Sequence, residues 1–473
     1  MFDMTALELA GAIREKKLSV PDVVNTYIEN IDKNDKQYNT FIKVIRDSVL
    51  RRAKEIQSRI ENGETISPLA GVPVALKDNI SKKAIETTCA SKMLNNYNPV
   101  FDATVTEKLE DAGLIIIGKL NMDEFAMGGT EFYGAVRNPW DVKRAAGDGC
   151  AAAIAAGEVP LAIGTDTGGE IRKPCSYCGA TGIKPTYGSV SRYGIVAYAS
   201  SLDQAGTVGQ NIEDCAALLS IISGPDNKDS TCIIEKPFNM TDMSKIDMPK
   251  GFKIGLPANY TMDENVKAAI LAAAKEYEAA GAIIEEIEMP YIDIIDPVYC
   301  IITSAEASSN LAKFDGLKYG YRSANAKTLS EVYRLSRSEG FGMEVKRKIM
   351  LGSLFLSSGF YETHYKKALQ ARTLIRETYK KLFGQFDLIL SPVSPSTASL
   401  IDSSYSDPKQ ADLFTAAVNL AGLPAAALPC GFDKQGLPIG FQLIGDTFCE
   451  NKLINIARIY QNRTTHHKRK PGK

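Results

Sequence analysis

The chain has 473 residues, 44% of them hydrophobic, enough to bury a large core. Lys and Arg total 55 against 56 Asp and Glu, so no global basic field marks a nucleic-acid binder. No apolar run approaches the roughly 18 residues that a membrane span needs. The opening MFDMTALELAGAIREKK lacks the charged and apolar regions of a signal peptide. A cytoplasmic protein without membrane association is therefore expected. The nine dispersed cysteines agree with a reduced compartment rather than a disulfide framework.

Residues 4–62 read as helical, with apolar residues three and four apart and with Thr5 and Ser19 as N-caps. GVPVALKDNI then opens a different texture of short apolar strands between Gly-rich loops and helices. DATVTEKLEDAG predicts a helix and LIIIGKL a strand; CAAAIAAGEVP predicts a small-residue helix ending at Gly157, and LAIGTD another strand. The polar stretch near 223–237 is an excursion. A strand, the amphipathic helix NVKAAILAAAKEYEAAG and another strand follow. Residues 297–385 read as mainly helical, DLILSPV returns to the sheet, and LPAAALPCG and GLPIGFQLIG are late strands. This alternation indicates an α/β class, a central mixed β-sheet with helices on both faces. The expected division is an N-terminal helical segment, 1–62, packed on an α/β unit, 63–473, as one compact body. The basic tail HHKRKPGK reads as a solvated terminus.

Chemistry concentrates in GTDTGGEIRKP. The backbone N–H groups of Thr167, Gly168 and Gly169 can face one concavity, a nest suited to an oxyanion. Yet a carboxylate, Glu170, follows directly. Cys175 and Cys178 form a CxxC with no matching second pair, so they read as small buried side chains, and no metal site is expected.

Long strings carry a resemblance: GVPVALKDNI, TTCASKML, GKLNMDEFAMG, RNPWD, GTDTGGEIRKP, GIKPTYGSVSRYGIVAYASSLDQ, RSEGFGMEVKRKIMLGS and VNLAGLP. Together they make the chain resemble the amidase signature family over nearly its whole length. The likeness is greatest to the A-subunit branch of bacterial glutamyl-tRNA(Gln) and aspartyl-tRNA(Asn) amidotransferases. The resemblance implies the amidase signature fold and a Ser–cis-Ser–Lys relay. In that relay a neutral lysine takes the proton of a serine nucleophile through a second serine. It also implies partners: a B-like subunit that binds tRNA and ATP with Mg, and a small C-like subunit. No cofactor is implied for this chain, and tRNA is met only through the partner.

Residue by residue, Lys77 stands at the general-base position and Glu170 at the nucleophile position. Thr167, Gly168 and Gly169 supply the oxyanion-hole backbone. Met127, Tyr198, Tyr299, Lys348 and Asp412 match substrate-site positions, with Lys348 where the family has an arginine fork for a carboxylate. The stretch that carries the relay serine reads AAGDGCAAA here; Asp148 and Cys150 are its only reactive side chains. Cys150, at a helix start, is a weak candidate for a substitute nucleophile.

A carboxylate attacking an amide would give a high-energy anhydride, so Glu170 cannot simply replace serine. The expectation is that Glu170 pairs with Lys77 and plugs the pocket, because a paired buried charge is tolerable where a lone one is not. Glutaminase activity should then be lost. The alternatives are a non-catalytic scaffold or small-amide binder, and a hydrolase in which Glu170 activates water.

Overall fold

The computed structural model describes residues 1–64, 66–233, 238–239, 247–401 and 413–472. Helix α1 (Ala6–Arg14) starts at Thr5, whose side chain accepts the Glu8 N–H while Glu8 reaches back to the Thr5 N–H. Helix α2 (Val20–Tyr38) starts at Ser19 and has a proline in its first turn. It stops at Asn39, whose left-handed backbone (φ 59°) ends the helix.

The next residues depart from the expected helical run. Phe41–Val44 form strand β1, antiparallel to β3 (Ile115–Leu120), before α3 (Asp47–Glu61) begins. Four residues are too few to show a period of two between strongly periodic helices, and the left-handed Asn39 is the only local sign of the break.

The remaining strands are β2 (Pro73–Lys77), β4 (Arg137–Asn138), β5 (Asp141–Ala145), β6 (Leu161–Asp166), β7 (Thr181–Lys184), β8 (Gln204–Gly209), β9 (Lys253–Pro257), β10 (Ile283–Ile287), β11 (Leu388–Pro392), β12 (Ala425–Phe432) and β13 (Pro438–Ile444). Apart from the β4–β5 pair, they form one mixed sheet in the order β1-β3-β2-β6-β8-β7-β12-β13-β11-β9-β10. β2, β3, β6 and β8 are buried throughout, which explains their continuous apolar or small-residue runs.

Helices α4 (Thr104–Asp111), α5 (Gly149–Ala155), α6 (Arg172–Cys178), α7 (Ile212–Ile222) and α8 (Glu264–Ala279) link these strands. Helices α9 (Ile292–Asn310), α10 (Leu329–Gly340), α11 (Met343–Phe355), α12 (Lys366–Phe383) and α13 (Leu413–Ala421) make a helical layer, and α14 (Glu450–Arg463) follows the last strand. Two apolar clusters result. One joins α1–α3 to the strands and α7; the other gathers α9, α12 and α13 with the loops after β3 and β7.

The basic tail is docked rather than solvated. His467 is buried, Arg469 lies over the Phe432 ring, and Lys470 bridges to Asp3. All nine cysteines are free thiols, and no helix among the described residues is long and apolar enough to cross a membrane.

Candidate functional site

β2 and β6 lie side by side and parallel, and both end at one rim of the sheet. Carboxyl ends of parallel strands are where an open α/β sheet builds its sites. Lys77 closes β2, and Thr165 and Asp166 close β6. The Lys77 ammonium donates to the Thr165 carbonyl at 3.3 Å.

Its ionic partner is Asp148, not Glu170. Lys77 Nζ lies 2.7 Å from Asp148 Oδ2, and both side chains are 2% exposed. The expected Lys77–Glu170 pair is absent because a nearer carboxylate has taken the place. Asp148 is the N-cap of α5 and accepts the Cys150 N–H at 2.6 Å. One carboxylate thus satisfies a helix N-terminus and neutralises a buried cation. Burial by itself would lower the Lys77 pKa. The Asp148 charge, assisted by Glu170, overrides it and holds the amine above the usual lysine range. The contact with Asp148 thus favours the charged amine of Lys77.

Glu170 turns the other way, into the nest. Its Oε2 accepts the Thr167 N–H at 2.6 Å and the Gly168 N–H at 2.8 Å. These two donors, rather than the expected three, converge on one oxygen. The carboxylate therefore fills the concavity that the sequence marks as a nest for an anion. Burial, then the nearby Asp166, raises the Glu170 pKa against the pull of Lys173, Lys77 and the Gly168 N–H.

The loop around the nest is held from several sides. Asp166 and Arg172 form a fully buried, two-pronged pair at 2.9 and 3.1 Å. Arg172 also donates to Gln442 and to the Thr415 carbonyl. The Asp166 pKa is drawn well below the carboxylate range: burial opposes this, and the Arg172 charge and hydrogen bond outweigh it. Asp203 accepts the Thr167 hydroxyl at 2.6 Å and the Tyr198 N–H at 2.9 Å, joining the nest to the Tyr198 loop. A Cβ on Gly168 would lie 2.2 Å from the Tyr299 hydroxyl, so a larger residue there would have to push the Tyr299 ring aside.

Of the other expected residues, Tyr299 comes from α9 and covers the nest at Gly168. Lys348 comes from α11 and donates to the Tyr198 hydroxyl at 2.8 Å. Burial pushes the Tyr198 phenol up, although Lys348 pulls it down. Met127 is buried in the same apolar cluster as Tyr198 and Tyr299. Asp412 lies outside the described residues. Cys150 is buried, its thiol directed at the Ile163 carbonyl. Burial and the Asp148 charge raise its pKa well above the ordinary thiol value, so the helix start does not activate it.

Sequence reasoning missed two groups. The partnership of Asp148 with Lys77 is one. The other is Asp123, whose carboxyl burial pushes up to about 7; Lys77 opposes that shift, and Asp148 and Glu170 reinforce it. Asp123 sits within the string NMDEF, but nothing local marks it. No metal-holding group of three His, Cys, Asp or Glu occurs among the described residues.

Comparison with known proteins bears on the family and the fold. The family model described as Amidase matches residues 22–454. The chain is 48% identical to the A subunit of the glutamyl-tRNA(Gln) amidotransferase of Agathobacter rectalis, covering 98% of this chain and 94% of that one. It is 46% identical to the protein of the same name from Geobacillus kaustophilus, over 100% and 99% of the two chains. The crystal structure of the Thermotoga maritima glutamyl-tRNA(Gln) amidotransferase A subunit superposes with a TM-score of 0.81 at 37% identity, over 98% of this chain and 96% of that one.

Proposed function

Because the chain belongs to the amidase family, we propose that it is an A-type member of a tRNA-dependent amidotransferase assembly that has lost glutamine hydrolysis. Similarity along the full length supports the A-type assignment. The observation that carries the loss is the Glu170 carboxylate seated on the Thr167 and Gly168 N–H groups. An amide carbonyl cannot use donors that the Glu170 carboxyl oxygen already occupies. The Lys77–Asp148 pair supports the same reading, because a serine relay ends on a neutral amine. Glu170 is also poorly placed to activate water, since its Oε2 is already committed to the Thr167 and Gly168 N–H groups.

In this reading the chain is a cytoplasmic scaffold. It docks a B-like subunit, which handles tRNA, ATP and Mg, and a small C-like subunit, and it carries no cofactor of its own. A small carboxylate-bearing ligand would meet Tyr198, Tyr299, Met127 and Lys348 and leave uncleaved.

The test is to purify the chain alone and with candidate B-like and C-like chains, add glutamine, and measure glutamate and ammonia. Co-elution without glutamate release is the expected result. Glutamate release at turnover-like rates, from material free of other amidases, overturns the proposal.

A further inference from the structure

Away from the nest, a second buried acid group sets a constraint on helix α5. Glu158 is fully buried just beyond that helix. Its N–H donates to the Ala153 carbonyl at 2.9 Å, across the left-handed Gly157, and closes the helix end. Its side chain meets the Thr40 hydroxyl through Oε2. The same Thr40 hydroxyl lies 2.6 Å from Asp35 Oδ1.

A hydroxyl has one proton to give. It cannot donate to two carboxylates at once. One of the two acids must therefore carry a proton and donate to Thr40. Asp35 Oδ1 also accepts the Thr40 N–H at 2.6 Å and the Phe41 N–H at 3.1 Å, the pattern of an ionised oxygen. Glu158 Oε1 is buried with no hydrogen-bond partner. A naked oxygen is far less costly on a neutral acid than on a buried anion.

We propose that Glu158 is a neutral carboxylic acid in the folded protein, donating through the Thr40 hydroxyl to Asp35, and that this chain of hydrogen bonds is a pH-sensitive latch on α5. The latch closes on itself. The Thr40 carbonyl accepts the Asn121 N–H at 2.7 Å, and the Asn121 carbonyl accepts the Gly149 N–H at 2.9 Å. Gly149 is the first residue of α5 and follows Asp148, which holds Lys77. A Cβ on Gly149 would lie 2.7 Å from the Thr40 carbonyl oxygen, so the approach is tight. Both ends of α5 are thereby tied to one residue, Thr40.

Burial raises the Glu158 carboxyl to about 8; the Thr40 bond opposes this, and the Asp35 charge adds to it. The titratable groups whose fields bear on Glu158 are Asp35 and, reciprocally, the Tyr38 phenol, both on α2. The flanking α5 and the first five residues of β6 carry no charged side chain, and no lysine or arginine donates to Glu158 among the described residues. When Glu158 ionises, two carboxylates face one hydroxyl, and the latch opens.

The test compares the whole chain with Glu158→Gln, which fixes the neutral form. A glutamate that stays protonated in the fold loses stability as pH rises from the ordinary glutamate value to its raised one. The folding constant of the native chain relative to Glu158→Gln should therefore fall about tenfold per pH unit between roughly pH 5 and 8, then level off. Parallel curves overturn the proposal. Asp35→Asn is a second probe: it removes the charge that helps hold the proton, so the levelling-off should move to lower pH. No movement overturns the Asp35 link. Amide exchange at Asn121 and Gly149, corrected for intrinsic pH dependence, should accelerate above about pH 8 in the native chain only. Unchanged exchange there would overturn the coupling to α5.

Discussion

Asp148 Oδ2 and Lys77 Nζ stand 2.7 Å apart with neither side chain more than 2% exposed. That contact decides the protonation state of the pocket. Replacing Asp148 by Asn keeps an oxygen for the helix cap and removes the charge. Breaking a buried pair from one side costs about 3–5 kcal/mol, because the remaining charge is stranded. Asp148→Asn should unfold at correspondingly lower urea at pH 7. The raised Lys77 pKa means the pair's contribution is complete at neutral pH and fades only as pH climbs past the ordinary lysine value. The gap between the two proteins should therefore narrow in strongly alkaline urea titrations.

Restoring a nucleophile alone should not restore chemistry. Glu170→Ser frees the Thr167 and Gly168 N–H groups but leaves Lys77 protonated. The expected outcome is no glutamate above the blank. Asp148→Ser combined with Glu170→Ser supplies two hydroxyls and releases Lys77. Acid–base help is worth about 10²–10⁴-fold, so the double variant should release glutamate at least ~10²-fold faster than the single one. A single variant as active as the double would show that Asp148 does not restrain the amine.

Glu170 also leaves a thermodynamic signature. Its raised pKa means that the folded state holds the proton more tightly than the unfolded chain. Stability from this group is full below the ordinary glutamate value, about 4.3, and falls as pH rises from there to the raised value. Glu170→Gln lacks the titration. The stability of the variant relative to the parent should thus climb as pH rises from the ordinary glutamate range. Differential scanning calorimetry across that range checks it.

Arg172 makes the opposite prediction. It is fully buried and clamps Asp166, whose pKa is depressed. Arg172→Met should cost about 3–5 kcal/mol at pH 7 by orphaning Asp166. In the parent, the contribution is present above the ordinary aspartate value and is lost as pH falls below it. Acid titration by circular dichroism should show a steeper loss in the parent than in the variant.

Much of this architecture is legible in the residues themselves. The long buried strands announce themselves as LIIIGKL and LAIGTD, and Thr5 and Ser19 mark helix starts by their chemistry. The nest and its glutamate are visible in six residues, TDTGGE. What the sequence hides is direction. Whether Glu170 points to Lys77 or back along its own loop depends on which other carboxylate reaches the lysine first. That depends on how α5 docks against β2, a contact between residues 71 positions apart. Strand β1 is hidden because four residues between two strong helices carry too little pattern. Asp123 and Glu158 are hidden because burial, not residue type, sets their protonation.

The Glu170 carboxylate is tethered three residues from the Thr167 N–H it occupies. Tethering gives a group an effective molarity that free solutes do not reach, up to about 10⁵–10⁸ M in well-oriented cases. Boronates, phosphonates and other mimics of a tetrahedral adduct must therefore displace a competitor that never diffuses away. A reagent that titrates an intact serine relay in a mixed cell extract should pass over this chain and leave it unlabelled.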